Sequence, residues 1–198
     1  MAEPSYRRST GSPRGQARRA AILEDVTQDL ADNGLAGFSL RRAARAAGTT
    51  HKVLLYHFDG HDELLIEAIR QLRTQRISRG TEVASLDASS TLAQRVRAVW
   101  PILTSGEGDV LNQAIGLSMY DPDRYAELGR GSTQQYLPAL LAICPESWTE
   151  ARKIEVSEMV LAVLRGLIID QLTSGDDARV EHAFAALDRA LEREEAAS

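Results

Sequence analysis

Four cationic side chains, Arg41, Arg42, Arg45 and Lys52, surround a small Ala-Ala-Gly-Thr-Thr turn in the stretch FSLRRAARAAGTTHKVLLYHF, Phe38 to Phe58. Arginine and lysine carried on a helix can donate to guanine O6 and N7 in the major groove of a duplex. Threonine hydroxyls and the amides at a helix start suit phosphate oxygens. A tyrosine hydroxyl at the rim of such a surface, here that of Tyr56, can hold a phosphate and set a docking angle. The plainer alternative is a solvated charged face on an ordinary three-helix bundle.

Those side chains need elements to hold them. Ser39 is a good N-cap for a short helix to about Ala46, whose inner face is Leu40, Ala43, Ala44 and Ala47. Gly48 supplies the turn, and Thr50 caps a second short helix, His51 to about His57. Small alanines let the two helices cross closely, which is the shape of a helix-turn-helix. With Leu54 inward, Lys52 and Tyr56 fall on the opposite side, one turn apart. Upstream, Ala21, Ile22, Val26 and Leu30 recur at helical intervals from about Arg14 to Asp32, and Asn33-Gly34 predicts a left-handed cap.

The segment from about Arg18 to Leu65 resembles the DNA-binding domain of the TetR family of bacterial transcriptional regulators. The resemblance rests on ILEDVTQDLADNG, FSLRRAARAAG, TTHKVLLYHF and HDELL, in that order and spacing, and covers about a quarter of the chain. It implies an all-α fold: an N-terminal three-helix helix-turn-helix domain at 14–60 and a helical ligand-binding and dimerisation domain at 61–198. It also implies that Arg41, Thr50, His51, Lys52 and Val53 read bases or phosphates. Ser39, Tyr56 and His57 would stand beside the backbone. Arg42 projects near Arg41, and His61 takes the place of a usual phosphate-binding lysine. Leu55 stands where the family usually has tyrosine, and Lys52 where glycine is common. An effector-responsive homodimeric repressor on a palindromic operator follows from the same resemblance. The alternative, from the residues alone, is a helical interaction module whose basic end docks on an acidic partner.

Composition sets the frame. The 198-residue chain is 43% hydrophobic and 26% charged, enough apolar content for a sizeable core. Its net charge of -5 divides into +4 over residues 1–80 and -9 over 81–198, a cationic end on an anionic body. A single cysteine, Cys144, fits a reducing, cytoplasmic setting and excludes a disulfide framework. No apolar run reaches membrane-span length. Three of four histidines fall near the turn, and neither a glycine-rich phosphate loop nor a nucleophile elbow is present. The expectation is therefore a protein that is not an enzyme, with no cofactor and no metal. Residues 1–13 read as a flexible basic arm, with Arg7, Arg8 and the adjacent Arg14 able to follow a minor groove or merely to solubilise.

Downstream, caps are expected between Asp87 and Ser90 and at Asp121. A capping box is expected at Ser147 with Glu150, and another cap at Asp176. Pro101 and Pro138 predict bends. Trp100, Gln113, Met119, Tyr120, Tyr136 and Arg165 are candidate lining residues for an unknown small-molecule effector. Arg165 would otherwise pair with Asp170 or Glu158. The helix around 154–169 is apolar nearly all round. With the last helix it places Leu161, Leu164, Ile168, Phe184, Leu187 and Leu191 either in an intrachain core or, as the resemblance implies, in a dimer interface.

Overall fold

The structure is a computed structural model and describes residues 12–85 and 89–197. Among these residues every regular element is an α-helix. Helix α1 spans Pro13–Asn33, α2 Leu40–Ala46, α3 His51–His57, α4 His61–Ala84 and α5 Leu92–Leu103. Then come α6 (Gly106–Tyr120), α7 (Pro122–Ala142), α8 (Glu150–Ser174) and α9 (Asp177–Ala196). Arg7, Arg8 and Asp87 lie outside the described residues. Arg14 sits inside α1, because Ser12 caps that helix and Pro13 occupies its first turn.

The chain forms two compact units, Met1–Leu72 with Asp109–Leu128, and Arg73–Gly108 with Gly129–Ser198. The first takes in more than the 14–60 segment. Its core joins Ile22, Val26 and Leu30 of α1, Ala43 of α2 and Leu54 of α3 to Leu64, Leu65 and Ile69 of α4. Val110, Leu111 and Ala114 of α6 and Leu128 of α7 complete that core. In the second unit Leu92, Val96, Val156, Val160, Leu164, Val180, Phe184, Leu187 and Leu191 pack together. The Trp100 ring meets Phe184 edge-on at 5.0 Å, with the Arg97 guanidinium 4.3 Å from the Phe184 ring centre.

Several local signals settle differently from the sequence reading. Thr91 caps α5, reciprocated by Gln94 in a capping box. Thr149, not Ser147, caps α8 by accepting from the Arg152 amide at 3.3 Å. Trp148 closes a turn onto the Pro145 carbonyl, so the helix starts two residues late for Ser147, and Glu150 pairs with Lys153 instead. Pro101 lies in the last turn of α5. In α7 the non-helical backbone falls at Tyr125 (φ -117°, ψ 16°), and the helix continues past Pro138. Asp121 and Asp176 cap α7 and α9 as expected, through the Arg124 and Arg179 amides.

Candidate nucleic-acid interface

The site is built on α2 and α3. Ser39 Oγ accepts from the Arg42 amide at 3.2 Å and Thr50 Oγ1 from the Val53 amide at 3.3 Å, so both expected caps form. Gly48 takes φ 53°, a left-handed value that a side chain would strain, and so the chain reverses tightly between the helices. Ala43 and Leu54 are fully buried and Ala44 nearly so, which brings α2 and α3 into close packing. At about 100° per residue, fixing Leu54 inward turns Lys52 to the far side, with Leu55 about 100° and His51, in the first turn, about 60° from Leu54. All three are exposed, with Tyr56 half-buried beside them and Val53 half-buried at the edge.

Helix α3 is also held from behind. Arg19 of α1 donates its Nε to the His57 carbonyl at 3.0 Å and lies 4.4 Å from the Phe58 ring centre. The same guanidinium pairs with Glu63 and Glu67 of α4 at 3.1 and 2.7 Å. One side chain thus fixes the end of α3 to both neighbouring helices. The His57 ring stands edge-on to Tyr56 at 5.0 Å, and its buried Nδ1 has no hydrogen-bond partner. Burial first, then the nearby Arg18 and Arg19 charges, pushes its pKa down. It packs here as a neutral imidazole.

Arg41 is exposed on α2, and so is Arg45 one turn later on the same face. The i, i+4 spacing of the two arginines is the sequence signal that places Arg45 beside Arg41. Arg42 turns the other way, contrary to expectation. Its Nε meets Asp29 Oδ2 at 2.6 Å, and its Nη groups donate to the Ala36, Asp29 and Gly34 carbonyls at 2.9, 3.0 and 2.8 Å. The reason is tertiary: α1 ends in a carboxylate and open carbonyls, and Arg42 is the donor within reach. His61 also has an internal partner. Its Nδ1 lies 2.7 Å from Asp62, and its ring 5.2 Å from that of Phe38. Arg124 grips the same carboxylate with Nε and Nη2 at 2.7 and 2.8 Å. These Arg124 hydrogen bonds, with a smaller contribution from His61, hold the Asp62 carboxyl down at about 2. Between Phe38 and Phe58 there is no Asp or Glu. The exposed charged groups on this face are therefore the cations Arg41, Arg45 and Lys52.

The six candidate effector-lining residues divide between the two units. Gln113, Met119 and Tyr120 belong to the first unit, Trp100, Tyr136 and Arg165 to the second. Met119 and Tyr120 are 69% and 88% exposed, and Gln113 Oε1 accepts from the Leu35 amide at 3.2 Å. Arg165 pairs with neither Asp170 nor Glu158. It donates to Ser132 and Thr133 hydroxyls at 2.8 and 3.1 Å, while Asp170 holds Arg179. Leu92, Val96, Leu140, Ile143, Cys144, Val156, Ser157 and Val160 line an apolar seam of the second unit that is packed too closely to hold a water molecule.

The expected interface residues Leu161, Leu164, Ile168, Phe184, Leu187 and Leu191 are all buried, at 8% exposure or less. Leu164 and Ile168 of α8 and Phe184, Leu187 and Leu191 of α9 belong to their own chain's core, in which α9 packs on α5 and α8. Ile154, Met159, Ile169 and Leu172 lie on the other side of α8 and are between 37% and 54% exposed.

No family model matches the chain, and no curated protein matches it. Solved structures do. The multidrug binding protein EbrR complexed with proflavin superposes with a TM-score of 0.63 at 18% identity, covering 87% of this chain and 98% of that one. EbrR complexed with imidazole gives 0.63 at 20%, with 90% of each chain covered. A TetR transcriptional regulator from Legionella pneumophila gives 0.63 at 15%, covering 86% and 95%. At these identities the likeness is one of fold: this chain is all-α and shares the architecture of solved TetR regulators, an N-terminal helix-turn-helix followed by a helical body.

Proposed function

We propose that the protein is a DNA-binding transcriptional regulator of the TetR type, inserting α3 into the major groove and acting as a homodimer on a palindromic operator. The observation that carries this reading is α3 itself, with Leu54 fully buried behind it and His51 and Lys52 exposed in front. Lys52 donates to a guanine edge. Arg41, Arg45 and the Thr50 hydroxyl take phosphates. Two-fold pairing doubles a contact area that one short helix keeps small. The exposed apolar side of α8, with Ile154, Met159, Ile169 and Leu172, supports pairing through that helix. Effector response and repression are further parts of the proposal, supported by the shared fold with a protein described as bound to proflavin. The chain passes between the two units within α4 (Leu72 to Arg73), α6 (Gly108 to Asp109) and α7 (Leu128 to Gly129), so these three helices are covalent routes for an effector's influence. A cytoplasmic location suits this role, and no helix among the described residues is long and apolar enough to cross a membrane.

The test is selection of bound duplexes from a random library, followed by a salt titration. The expected outcome is a two-fold symmetric preferred sequence whose affinity falls steeply with salt. Lys52→Ala should weaken the preferred site by about 5- to 100-fold with the melting temperature unchanged. Salt-sensitive binding with no preferred sequence would instead favour a general polyanion or acidic-partner surface.

A further inference from the structure

Leu55 is the one large apolar side chain on α3 that faces outward, at 48% exposure. On a seven-residue helix whose other long apolar residue, Leu54, is fully buried, a leucine left half in solvent contributes much less to folding than a buried one. Helix phase fixes where it stands. It lies about 100° from the buried Leu54, about 40° from His51 and about 60° from Lys52, and so between these two exposed polar residues on one side of the helix. Tyr56 follows about 100° further round. A groove-reading surface of this kind has polar flanks and an apolar middle.

One feature of the major groove is apolar and base-specific, the C5-methyl of thymine. From this placement we propose that Leu55 is a specificity residue that packs on a thymine methyl, beside the base contacted by Lys52. The inference rests on the DNA-binding reading and deepens it: each half-site carries an obligatory T·A pair within about two base steps of a G·C pair. Lysine supplies a charged donor for guanine, and leucine supplies the only contact that tells thymine from cytosine by its methyl. A second consequence is that Leu55 contributes to discrimination with no salt dependence, unlike the arginines and Lys52.

The test replaces one methyl group. Starting from the duplex selected by the full-length protein, each thymine of a half-site is replaced in turn by deoxyuridine, which keeps every hydrogen bond and removes only the C5-methyl. At one position the parent protein should lose about fourfold in affinity, and about fifteenfold when both half-sites are changed. Leu55→Ala should bind the thymine duplex as weakly as the parent binds the deoxyuridine duplex, and should be indifferent to the replacement. Because Leu55 is exposed, its melting temperature should match the parent's, which separates lost contact from lost folding. Leu55→Ala selected afresh should give the same half-site with the thymine position relaxed. Equal binding of thymine and deoxyuridine duplexes at every position overturns the inference while leaving the DNA-binding reading intact. So does a Leu55→Ala protein that still feels the methyl. Failure to bind any duplex overturns both together.

Discussion

Arg42 offers the sharpest trial of the placement of side chains around the turn. In the structure its guanidinium is a clamp, not a contact: 14% exposed, paired with Asp29 at 17%, and donating to three backbone carbonyls. Replacing it by alanine leaves a largely buried carboxylate and the carbonyls of Asp29, Gly34 and Ala36 to find water. Breaking a buried pair by removing one partner costs about 3–5 kcal/mol, and hydrogen bonds to charged groups contribute about 1.5–3 kcal/mol. With the residual exposure discounted, a loss of about 3 kcal/mol is expected. For a chain of 198 residues, that corresponds to a fall of about 6–12 °C in melting temperature. Arg42→Lys should recover less than half, because one ammonium cannot span Asp29 and all three carbonyls. The assay is thermal unfolding by circular dichroism, with Arg41→Ala, exposed on the same helix, as the comparison that melts like the parent. An Arg42→Ala protein that melts within about 1 °C of the parent but loses affinity for its duplex would refute the reasoning and put Arg42 back on the DNA.

Three further outcomes are expected. Ile169→Glu, on the exposed side of α8, should give a folded monomer by sedimentation if that side pairs two copies, whereas Leu164→Glu, 5% exposed, should lose its folded circular dichroism signal altogether. Arg165→Met should change urea stability by less than about 1 kcal/mol, since the guanidinium meets only hydroxyls and burial already lowers its pKa; a loss beyond about 2 kcal/mol would reveal a stabilising role for its charge. Asp62, lowered from 3.8 to about 2, stabilises the fold only while ionised, so its contribution is complete above pH 3.8 and disappears as pH falls through about 2. Arg124→Gln should move the Asp62 carboxyl titration, followed by carbon NMR, back towards the ordinary carboxylate value, flattening that acid limb.

The helix-turn-helix was legible in the sequence because its signals are local. Ser39, Gly48 and Thr50 act within a few residues of themselves, and Leu54 alternates with Lys52 and Tyr56 by simple helix phase. Arg42 was not legible as a clamp, since nothing near it in sequence says that Asp29 ends beneath it. The cap of α8 was misplaced because Ser147 and Thr149 both precede Glu150 by a plausible interval, and only the turn closed by Trp148 separates them. The interface residues on α8 fail for a more general reason. A helix apolar on most sides shows how much surface must be covered, but the same hydrophobic pattern serves a core and a partner equally well. The placement of α6 in the first unit, through Val110, Leu111 and Ala114, likewise depends on contacts that no local motif encodes.

That last placement has a consequence for biosynthesis. The first unit is discontinuous: Met1–Leu72 shares its core with Asp109–Leu128. A ribosome releases the helix-turn-helix well before it makes the residues that finish its core, and at ordinary elongation rates the wait is on the order of five seconds. During that interval Ile69 and Leu72 have no α6 to cover them. The nascent chain therefore offers an apolar flank to chaperones, and gene fragments ending near residue 80 express a domain missing one of its walls.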